Sequence, residues 1–423
     1  MRKIVRFLKE KAWFFFSFAL AKGIVFLAPL LVAEILSKDD FGVLEYALAG
    51  LGMLLNTLVN AGVPAAYPYF KLKERDAQIN NAFDLHYIWL LLFFICTQLS
   101  YVCVGFSTHY YIALNVAYII SNQVFVSTQL KTNEKISFAV FIDSGIYVVL
   151  LLFFVLSYFN IVEPEIQTFS NIIICYAFVY VILAFKKTKI INTPNLRVNY
   201  RKILSYSVHV LIGGLLIYFI TVSGRILIEF FINDFEKVGV YAYYWRVSAV
   251  VVMLYQVINI AFFKKMYTVD PKNLDLYFAL CFLALTVISV ISFLCTPLFL
   301  AQFSTYFAST IKEYKPVYFL LSIQMIFWIA TALLSNIIDR EKLAFKNNPL
   351  FILLLITFII VLYVLKEGLQ LETFTLIHLT VVFVASVIQI FTLTRKKILF
   401  KKSLTTLSFI MIISVFVYLT MLK

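Results

Sequence analysis

Thirteen mostly apolar runs follow one another along this 423-residue chain, each about long enough to cross a lipid bilayer as a helix. A transmembrane helix needs about 20 apolar residues, whereas the strands of a membrane barrel are alternating segments of about ten residues. The sequence therefore predicts an all-α polytopic membrane protein with 12–13 transmembrane helices. The predicted spans are 12–36, 41–63, 82–105, 110–130, 136–159, 167–185, 203–231, 238–263, 275–300, 315–338, 349–365, 373–394 and 403–421.

The composition excludes the soluble classes of protein. Hydrophobic residues make up 62% of the chain and charged residues 14%, against roughly 45–50% and 25% in soluble proteins. The core of a soluble domain stops growing beyond roughly 250–300 residues, so burial in such a core does not account for the excess. A soluble enzyme, a disordered chain and a secreted disulfide scaffold are therefore excluded.

The sequence predicts no metal site and no cofactor. Its five cysteines lie in apolar runs without the spacing of metal ligands, so they are expected to be small buried core residues. The phosphate-binding pattern GxxxxGK[ST] of ATP-binding proteins is absent from the chain. The cysteines are Cys96, Cys103, Cys175, Cys281 and Cys295.

The net charge of +14 predicts an orientation in the membrane. In a soluble protein such a charge would suggest a nucleic-acid partner, but in a membrane protein Lys and Arg concentrate in cytoplasmic loops. With the N-terminus in the cytoplasm, the inner segments hold 27 of the 36 basic residues and the outer segments hold 6. We therefore expect a cytoplasmic N-terminus and no nucleic-acid partner.

The spacing of the spans predicts two lobes of six helices each. The longest polar segment follows the sixth span, which is where a linker between two equal halves would lie. The predicted parts are a cytoplasmic amphipathic lead-in at 1–11, a first lobe at 12–185, a cytoplasmic linker at 186–202, a second lobe at 203–394 and a basic segment with an extra C-terminal helix at 395–423.

An internal repeat supports this division. The sequence FGVLEYALA at 41–49 resembles VGVYAYYWR at 238–246. Gly42, Val43 and Tyr46 each have an identical residue 197 positions later, and each copy opens the second span of its lobe. Many transporters consist of two structural repeats that bind substrate between them, so we expect two pseudo-symmetric lobes around a central cavity. Two ordinary helix starts would also produce such a match.

Three cations lie inside predicted spans, where an ionisable side chain normally faces protein or a wet cavity. Lys22, Arg225 and Arg246, on spans one, seven and eight, predict a shared cationic cavity for an anionic substrate such as a lipid pyrophosphate. Each also has a structural alternative. Arg225 could pair with Glu229 one turn away, and the other two side chains could extend to the membrane surface.

Asp143, His209 and Glu229 are the candidates for coupling transport to a proton or another ion. A buried carboxylate or imidazole can load an ion on one side of the membrane and release it on the other. Hydrogen bonds between helices are the alternative role for such groups. Four ionisable residues nearer the span ends are expected to reach the lipid headgroups instead. They are Glu34, Glu45, Asp84 and His86.

Helix breakers predict where spans bend. Pro29 lies inside span one, and Gly213 and Gly214 lie inside span seven, the equivalent span of the second lobe. Proline removes a helical hydrogen bond and paired glycines weaken a helix, so both spans are expected to bend at these residues.

One set of motifs resembles a known family. Span one contains a glycine and a proline, a Leu-Ser pair and an acidic-Phe-Gly turn follow, and a glycine ends span two. These residues are Gly23, Pro29, Leu36–Ser37, Asp40–Phe41–Gly42 and Gly62. Together with SGRILIEFF and VGVYAYYWRVS in the second half, they resemble the polysaccharide repeat-unit flippases of the multidrug/oligosaccharidyl-lipid/polysaccharide exporter superfamily. That family often has Asp-Arg in span seven, whereas Ser223 and Gly224 precede Arg225 here.

The resemblance implies a function. It implies two six-helix lobes in a V shape, and a polyprenyl-pyrophosphate-linked oligosaccharide moved from the inner to the outer leaflet by alternating access. The pyrophosphate would lie against Lys22, Arg225 and Arg246, in the bacterial inner membrane, during the biosynthesis of O-antigen or capsule. The implied partners are this substrate, the lipid bilayer and, as a candidate, a polysaccharide polymerase.

The sequence is also compatible with two other classes of protein. A membrane polysaccharide polymerase or glycosyltransferase would need catalytic groups on a substantial outer loop, and the longest predicted outer loop, 301–314, offers only Lys312 and Glu313. A drug/ion antiporter of the same superfamily would favour buried carboxylates over three buried cations. The preferred hypothesis is therefore a transporter without enzymatic activity.

Overall fold

The computed structural model describes residues 2–74, 77–133, 135–188, 196–255, 271–341 and 343–422. Within these residues the chain forms helices and no strand. Nine of the described helices are long and apolar enough to cross a membrane, and one bent pair of helices forms a tenth candidate span. The prediction of an all-α polytopic membrane protein is confirmed.

The chain forms two compact units, Met1–Leu215 and Leu216–Lys423, which we call unit 1 and unit 2. The boundary between them falls inside a helix that begins at Leu196. The linker predicted at 186–202 is a different segment, and it includes residues outside the described ranges. Its role as a linker stays a prediction.

Unit 1 is built around α7, whose side chains are buried along most of its length. This helix packs against α3, α6, α8 and α10. Wider π-helical turns occur at Tyr46–Gly50 and Tyr69–Glu74. The helices are α1 (Arg2–Val32), α2 (Lys38–Glu45), α3 (Leu51–Asn60), α4 (Val63–Pro68), α5 (Ala77–Ala82), α6 (Leu85–Val104), α7 (Thr108–Thr132), α8 (Ile136–Asp143), α9 (Gly145–Tyr158), α10 (Ile166–Thr188) and α11 (Leu196–Thr221), whose last residues belong to unit 2.

Unit 2 is built around α15, the most deeply buried of its spans. In the apolar part of α15 89% of the residues are buried, against 22% in the apolar part of α16. The helix α15 packs mainly on α17, α14 and α13. The helices are α12 (Gly224–Ile232), α13 (Phe235–Ser248), α14 (Pro271–Phe303), α15 (Thr305–Arg340), α16 (Ala344–Val364), α17 (Leu371–Thr394) and α18 (Lys401–Val417).

The internal repeat has a local structural counterpart in each unit. Ser37 caps α2 by accepting a hydrogen bond from the backbone N–H of Asp40 at 3.1 Å. Asp234 caps α13 by accepting one from the N–H of Lys237 at 3.0 Å. A cap of this kind satisfies a backbone donor that has no partner within the helix. The two caps are themselves 197 residues apart, the offset of the repeat.

The C-terminal helix α18 is held at both of its ends. The carboxylate of Asp275, at the start of α14, accepts hydrogen bonds from the backbone N–H groups of Lys402 (2.9 Å) and Ser403 (2.8 Å) and from the Ser403 hydroxyl (2.7 Å). Beyond the other end of α18, the Tyr418 hydroxyl donates to a carboxylate oxygen of Glu372 at 2.5 Å. The helix is therefore an integral part of unit 2, and its composition permits it to span the membrane.

Removing the Asp275 carboxylate should loosen this helix. The first turn of α18 would lose acceptors for backbone donors, and hydrogen bonds to a charged group contribute roughly 1.5–3 kcal/mol. We expect Asp275→Ala to lower the thermal unfolding temperature by several degrees and to expose the segment before Lys401 to protease. Glu367→Ala, at an exposed carboxylate, is the matched control. A variant as stable and as protease-resistant as this control would contradict the capping role.

Three expectations about the apolar surface and the spans were wrong. Four of the five cysteines are exposed and Cys281 is half-buried, because in a membrane protein apolar side chains also face lipid. The predicted outer loop 301–314 is almost wholly helical, since α14 runs to Phe303 and α15 begins at Thr305. The seventh span, predicted as one helix, is divided between α11 and α12.

Candidate functional site in the second unit

A break in the seventh span positions the site. The helix α11 ends at Thr221 and α12 begins at Gly224. Ser223 lies in the break, where its hydroxyl donates to the carbonyl of Phe219 at 2.6 Å. The last carbonyls of a helix have no partner within it, so this break leaves backbone acceptors inside the protein. The side chain of Arg225, one residue after the start of α12, is 2% exposed.

His378 on α17 satisfies one of these carbonyls. The imidazole is fully buried, and its Nε2–H donates to the carbonyl oxygen of Ile220 at 3.0 Å. Its Nδ1 accepts from the hydroxyl of Tyr241 at 3.1 Å and from the side-chain amide of Gln324 at 3.3 Å. A neutral ring with its hydrogen on Nε2 fits these contacts. The site therefore joins α11, α13, α15 and α17 through buried hydrogen bonds.

Gly224 permits this close packing. A Cβ atom at Gly224 would lie 2.4 Å from the hydroxyl oxygen of Tyr241 and 2.6 Å from the ring carbon that bears it. Tyr241 is fully buried and also stacks on Trp245, so it has no free space to move into. The hydroxyls of Tyr241 and Tyr218 both lie within electrostatic range of the Arg225 guanidinium. A glycine at this position thus lets an arginine, a tyrosine and a histidine share one buried site.

The other predicted charges of unit 2 lie on the neighbouring helices. Arg246, on α13, is 9% exposed and therefore buried. Glu229 is half-buried and lies one turn after Arg225 on α12. Two of the three predicted cations are therefore buried in unit 2, which is costly in a membrane unless polar groups or an anion compensate.

An apolar crevice of about 380 Å³ opens beside this site. It lies between the broken span and α16, and its lining includes Phe219, Leu227 and Phe358. Phe358 stacks on the ring of His378, with ring centroids 5.6 Å apart. Because its lining is apolar, the crevice suits a hydrocarbon chain. The short helix α12 thus carries both the buried Arg225 and Leu227, which lines the apolar crevice.

The third predicted cation, Lys22, lies in unit 1 with one of the predicted coupling residues. Its ammonium group lies 5.8 Å from the ring of Phe18 and within electrostatic range of Asp143 and Lys131. Lys131 forms an ion pair with Asp143 at 2.5 Å, and both side chains are more than a third exposed. The structure thus brings together Lys22 and Asp143, to which the sequence assigned separate roles.

Pro29 lies near the end of a helix, whereas Gly213 and Gly214, the other residues predicted to bend a span, lie inside one. Pro29 is buried near the end of α1, where its carbonyl accepts from Ala33 at 3.0 Å. The helix α11 continues without interruption through Gly213 and Gly214, and the break in this span comes later, at 222–223. Bending at these residues stays a prediction. The side chain of His209 lies outside the described part of the structure.

The profile of the polysaccharide biosynthesis protein family matches residues 7–263 of the chain. This match covers more than half of the sequence. The chain belongs to the polysaccharide biosynthesis protein family. That family comprises polysaccharide transporters of the multidrug/oligosaccharidyl-lipid/polysaccharide exporter superfamily, so the resemblance drawn from the sequence motifs is confirmed. No curated protein and no solved structure matches the chain significantly.

The family match covers only part of the site in unit 2. Arg225 and Tyr241 lie inside the matched segment of this polysaccharide biosynthesis protein, whereas Gln324 and His378 lie beyond it. The sequence reasoning missed the latter two because they are single polar residues in long apolar spans. The signal available was the position of His378 inside the predicted span 373–394, where an ionisable group is expensive.

Unit 1 of this family member contains a second buried network that sequence reasoning missed. His86, expected at the headgroups, is fully buried. Its Nε2–H donates to Asn60 at 3.1 Å, and its Nδ1 accepts from the Tyr200 hydroxyl at 3.2 Å. The Asn60 amide donates to Asn56 at 2.8 Å, which also accepts from Ser121 at 3.1 Å. The spacing of the two asparagines, four residues apart on one helix face, was the available signal.

Glu45 was also expected to reach the headgroups, and this expectation was wrong. Its side chain is 0% exposed at the end of α2, directly before the π-helical turn Tyr46–Gly50. A position near the end of a span in the sequence therefore did not imply exposure, because neighbouring helices cover that end of the span.

Among the described residues, no group of three His, Cys, Asp or Glu side chains could hold a metal ion.

Proposed function

We propose that this protein is a flippase that moves polyprenyl-pyrophosphate-linked oligosaccharide repeat units from the cytoplasmic to the outer leaflet. The transport serves the synthesis of a surface polysaccharide such as O-antigen or capsule, and it proceeds by alternating access. The proposed location is the bacterial inner membrane, with the N-terminus in the cytoplasm and a polysaccharide polymerase as a candidate partner. The family match supports the polysaccharide part of this proposal.

The observation that carries the proposal is the burial of Arg225 at the break of the seventh span. A guanidinium binds phosphate through two parallel hydrogen bonds, and its electrostatic attraction to the phosphate is stronger where water is excluded. The hydroxyl of Tyr218, within electrostatic range of the Arg225 guanidinium, adds a donor for phosphate oxygens. The apolar crevice beside the site offers a surface for the polyprenyl chain. Arg246 and, from the sequence, Lys22 are the further proposed contacts of the pyrophosphate.

The decisive experiment follows lipid-linked precursors in the native host while this protein is depleted. We expect complete repeat units to accumulate on the inner leaflet while the surface polymer disappears. Repeat units that reach the outer leaflet but stay unpolymerised would instead indicate a polymerase. No change in either pool would overturn the assignment to a glycan and favour export of small molecules.

Coupling to an ion gradient is part of the same proposal. Asp143 is its leading residue because its ion pair with Lys131 can open when the carboxylate is protonated. Glu229 and His209 are the other proposed coupling residues. In vesicles with an imposed proton or sodium gradient, flipping by the wild-type protein should follow the gradient, and flipping by the Asp143→Asn variant should not. Equal responses of the two proteins would exclude Asp143 from coupling.

A further inference from the structure

A second basic site lies in unit 1, at the first turns of α11. An open groove of about 520 Å³ runs between the π-helical turn Tyr69–Glu74 and the first turns of α11. The concentration of Lys and Arg in cytoplasmic segments predicts that both of these segments lie on the cytoplasmic side of the membrane. The side chains that line the groove include Tyr69, Phe70, Arg201, Lys202, Ser205 and Tyr206.

One face of α11 supplies the charged wall of this groove. Arg201 and Lys202 are exposed, and Ser205 and Tyr206 follow one turn later on the same side of the helix. The opposite face of α11 is anchored in the core of unit 1, where Ile203 is fully buried. The groove therefore has two cations and two hydroxyl groups on a rigid support.

Aromatic rings form the facing wall. Tyr69 stacks on Tyr206 with ring centroids 4.5 Å apart and an angle of 16° between the ring planes. Phe70 is buried in the core, and the ammonium group of Lys202 lies 5.6 Å from its ring. The exposed part of Tyr206 leaves an aromatic surface beside the two cations. Aromatic faces attract the weakly positive C–H groups of a sugar ring.

We propose that this groove is the loading site for the phosphate-linked sugar headgroup of the lipid substrate in the cytoplasmic leaflet. Arg201 and Lys202 bind the phosphate oxygens, because guanidinium and ammonium groups are the preferred partners of phosphate. Ser205 donates a hydrogen bond, and the Tyr69–Tyr206 pair packs against the first sugar. The volume of the groove lies within the usual range of small-molecule sites. This inference rests on the proposed function.

The test measures binding by the full-length protein in phosphatidylcholine nanodiscs. The probe is a fluorescent short-chain polyprenyl-pyrophosphate N-acetylglucosamine. The Arg201→Gln/Lys202→Gln variant should bind it at least about tenfold more weakly, because both charge-assisted contacts to the phosphate oxygens are lost. The control, Lys396→Gln/Lys397→Gln, removes the same charge from two exposed lysines of unit 2 and should bind like the wild type. Equal binding by both variants would overturn the proposal.

A second variant tests the sugar contact separately. Tyr206→Ala should weaken binding of the sugar-bearing probe by several-fold and leave binding of the same polyprenyl pyrophosphate without sugar unchanged. Equal effects on the two probes would exclude the aromatic pair from sugar recognition. Adding phosphatidylglycerol to the nanodiscs distinguishes the other source of phosphate. If this lipid displaces the probe from the wild type, the groove is a general site for anionic lipid headgroups and the proposal fails.

Failure of this inference differs from failure of the proposed function. A wild-type protein that binds the probe, with no loss in the Arg201→Gln/Lys202→Gln variant, contradicts only the loading site. A wild-type protein that binds no probe, in a host whose precursor pools do not respond to depletion, contradicts both the flippase assignment and the loading site.

Discussion

Replacing Arg225 by Gln should reduce flipping at least about 30-fold while leaving the protein in the membrane. Arg225 is 2% exposed and lies in a polar site with two tyrosine hydroxyls, so an anion that reaches it meets a charge without competing water. Removing one partner of a buried charged contact costs roughly 2–5 kcal/mol, which corresponds to this loss or a larger one. Gln retains donors for hydrogen bonds but carries no charge.

The measurement is the initial rate of translocation in vesicles that contain equal amounts of each variant. Arg395→Gln is the matched control, since it removes an exposed arginine of the same unit that lies 4.5 Å from the ring of Phe391. Arg225→Lys keeps the charge but loses the planar fork that binds phosphate at two points, so we expect it to be intermediate. Wild-type rates for Arg225→Gln would remove Arg225 from the substrate site.

The second large effect is expected from Gly224→Ala. The added Cβ would lie 2.4 Å from the hydroxyl of Tyr241, which is held by His378 and by its own burial. Overpacking of this kind costs roughly 1–3 kcal/mol and displaces the ring from its site. We expect the thermal unfolding temperature to fall by roughly 5–10 °C and flipping to fall with it, because the tyrosine beside Arg225 would move.

The same span provides a sensitive control for this substitution. A Cβ at Gly213 or Gly214 would meet nothing within 4 Å. Alanine is favoured over glycine inside a helix by roughly 0.5–1 kcal/mol, so Gly213→Ala and Gly214→Ala should leave stability unchanged or raise it slightly. Wild-type stability of Gly224→Ala would contradict the packing argument. Reduced flipping by the two control variants at full stability would support the predicted bend of span seven.

The hydrophobic pattern was sufficient to predict the class of fold. Long apolar runs separated by short polar segments leave helices that cross a membrane as the main solution, because every backbone group must be hydrogen-bonded in lipid. The repeat was also readable, since Gly42 and its counterpart Gly239 recur at an offset that the helix caps share. The motifs from Gly23 to Gly62 were sufficient to predict the family.

Burial of individual side chains was much less predictable. In a soluble protein a cysteine in an apolar run is usually inside, but Cys96 and Cys295 are exposed because lipid is an equally good apolar surrounding. His86 and Glu45 show the opposite error, since both lie near span ends in the sequence and both are fully buried. Hydropathy measures how apolar a segment is, and it does not show which of its faces meets another helix.

The sequence by itself determined that this protein is a helical, multi-pass membrane protein of a polysaccharide transporter family. Those properties depend on composition, periodicity and local motifs, which are readable along the chain. Only the tertiary structure decided which polar groups meet. The Ile220 carbonyl, Tyr241, Gln324 and His378 converge from four helices across 158 positions of sequence. Such a site forms because helix packing places the unpaired carbonyl at the end of a broken helix next to a donor that is distant in sequence. No local sequence pattern predicts that contact.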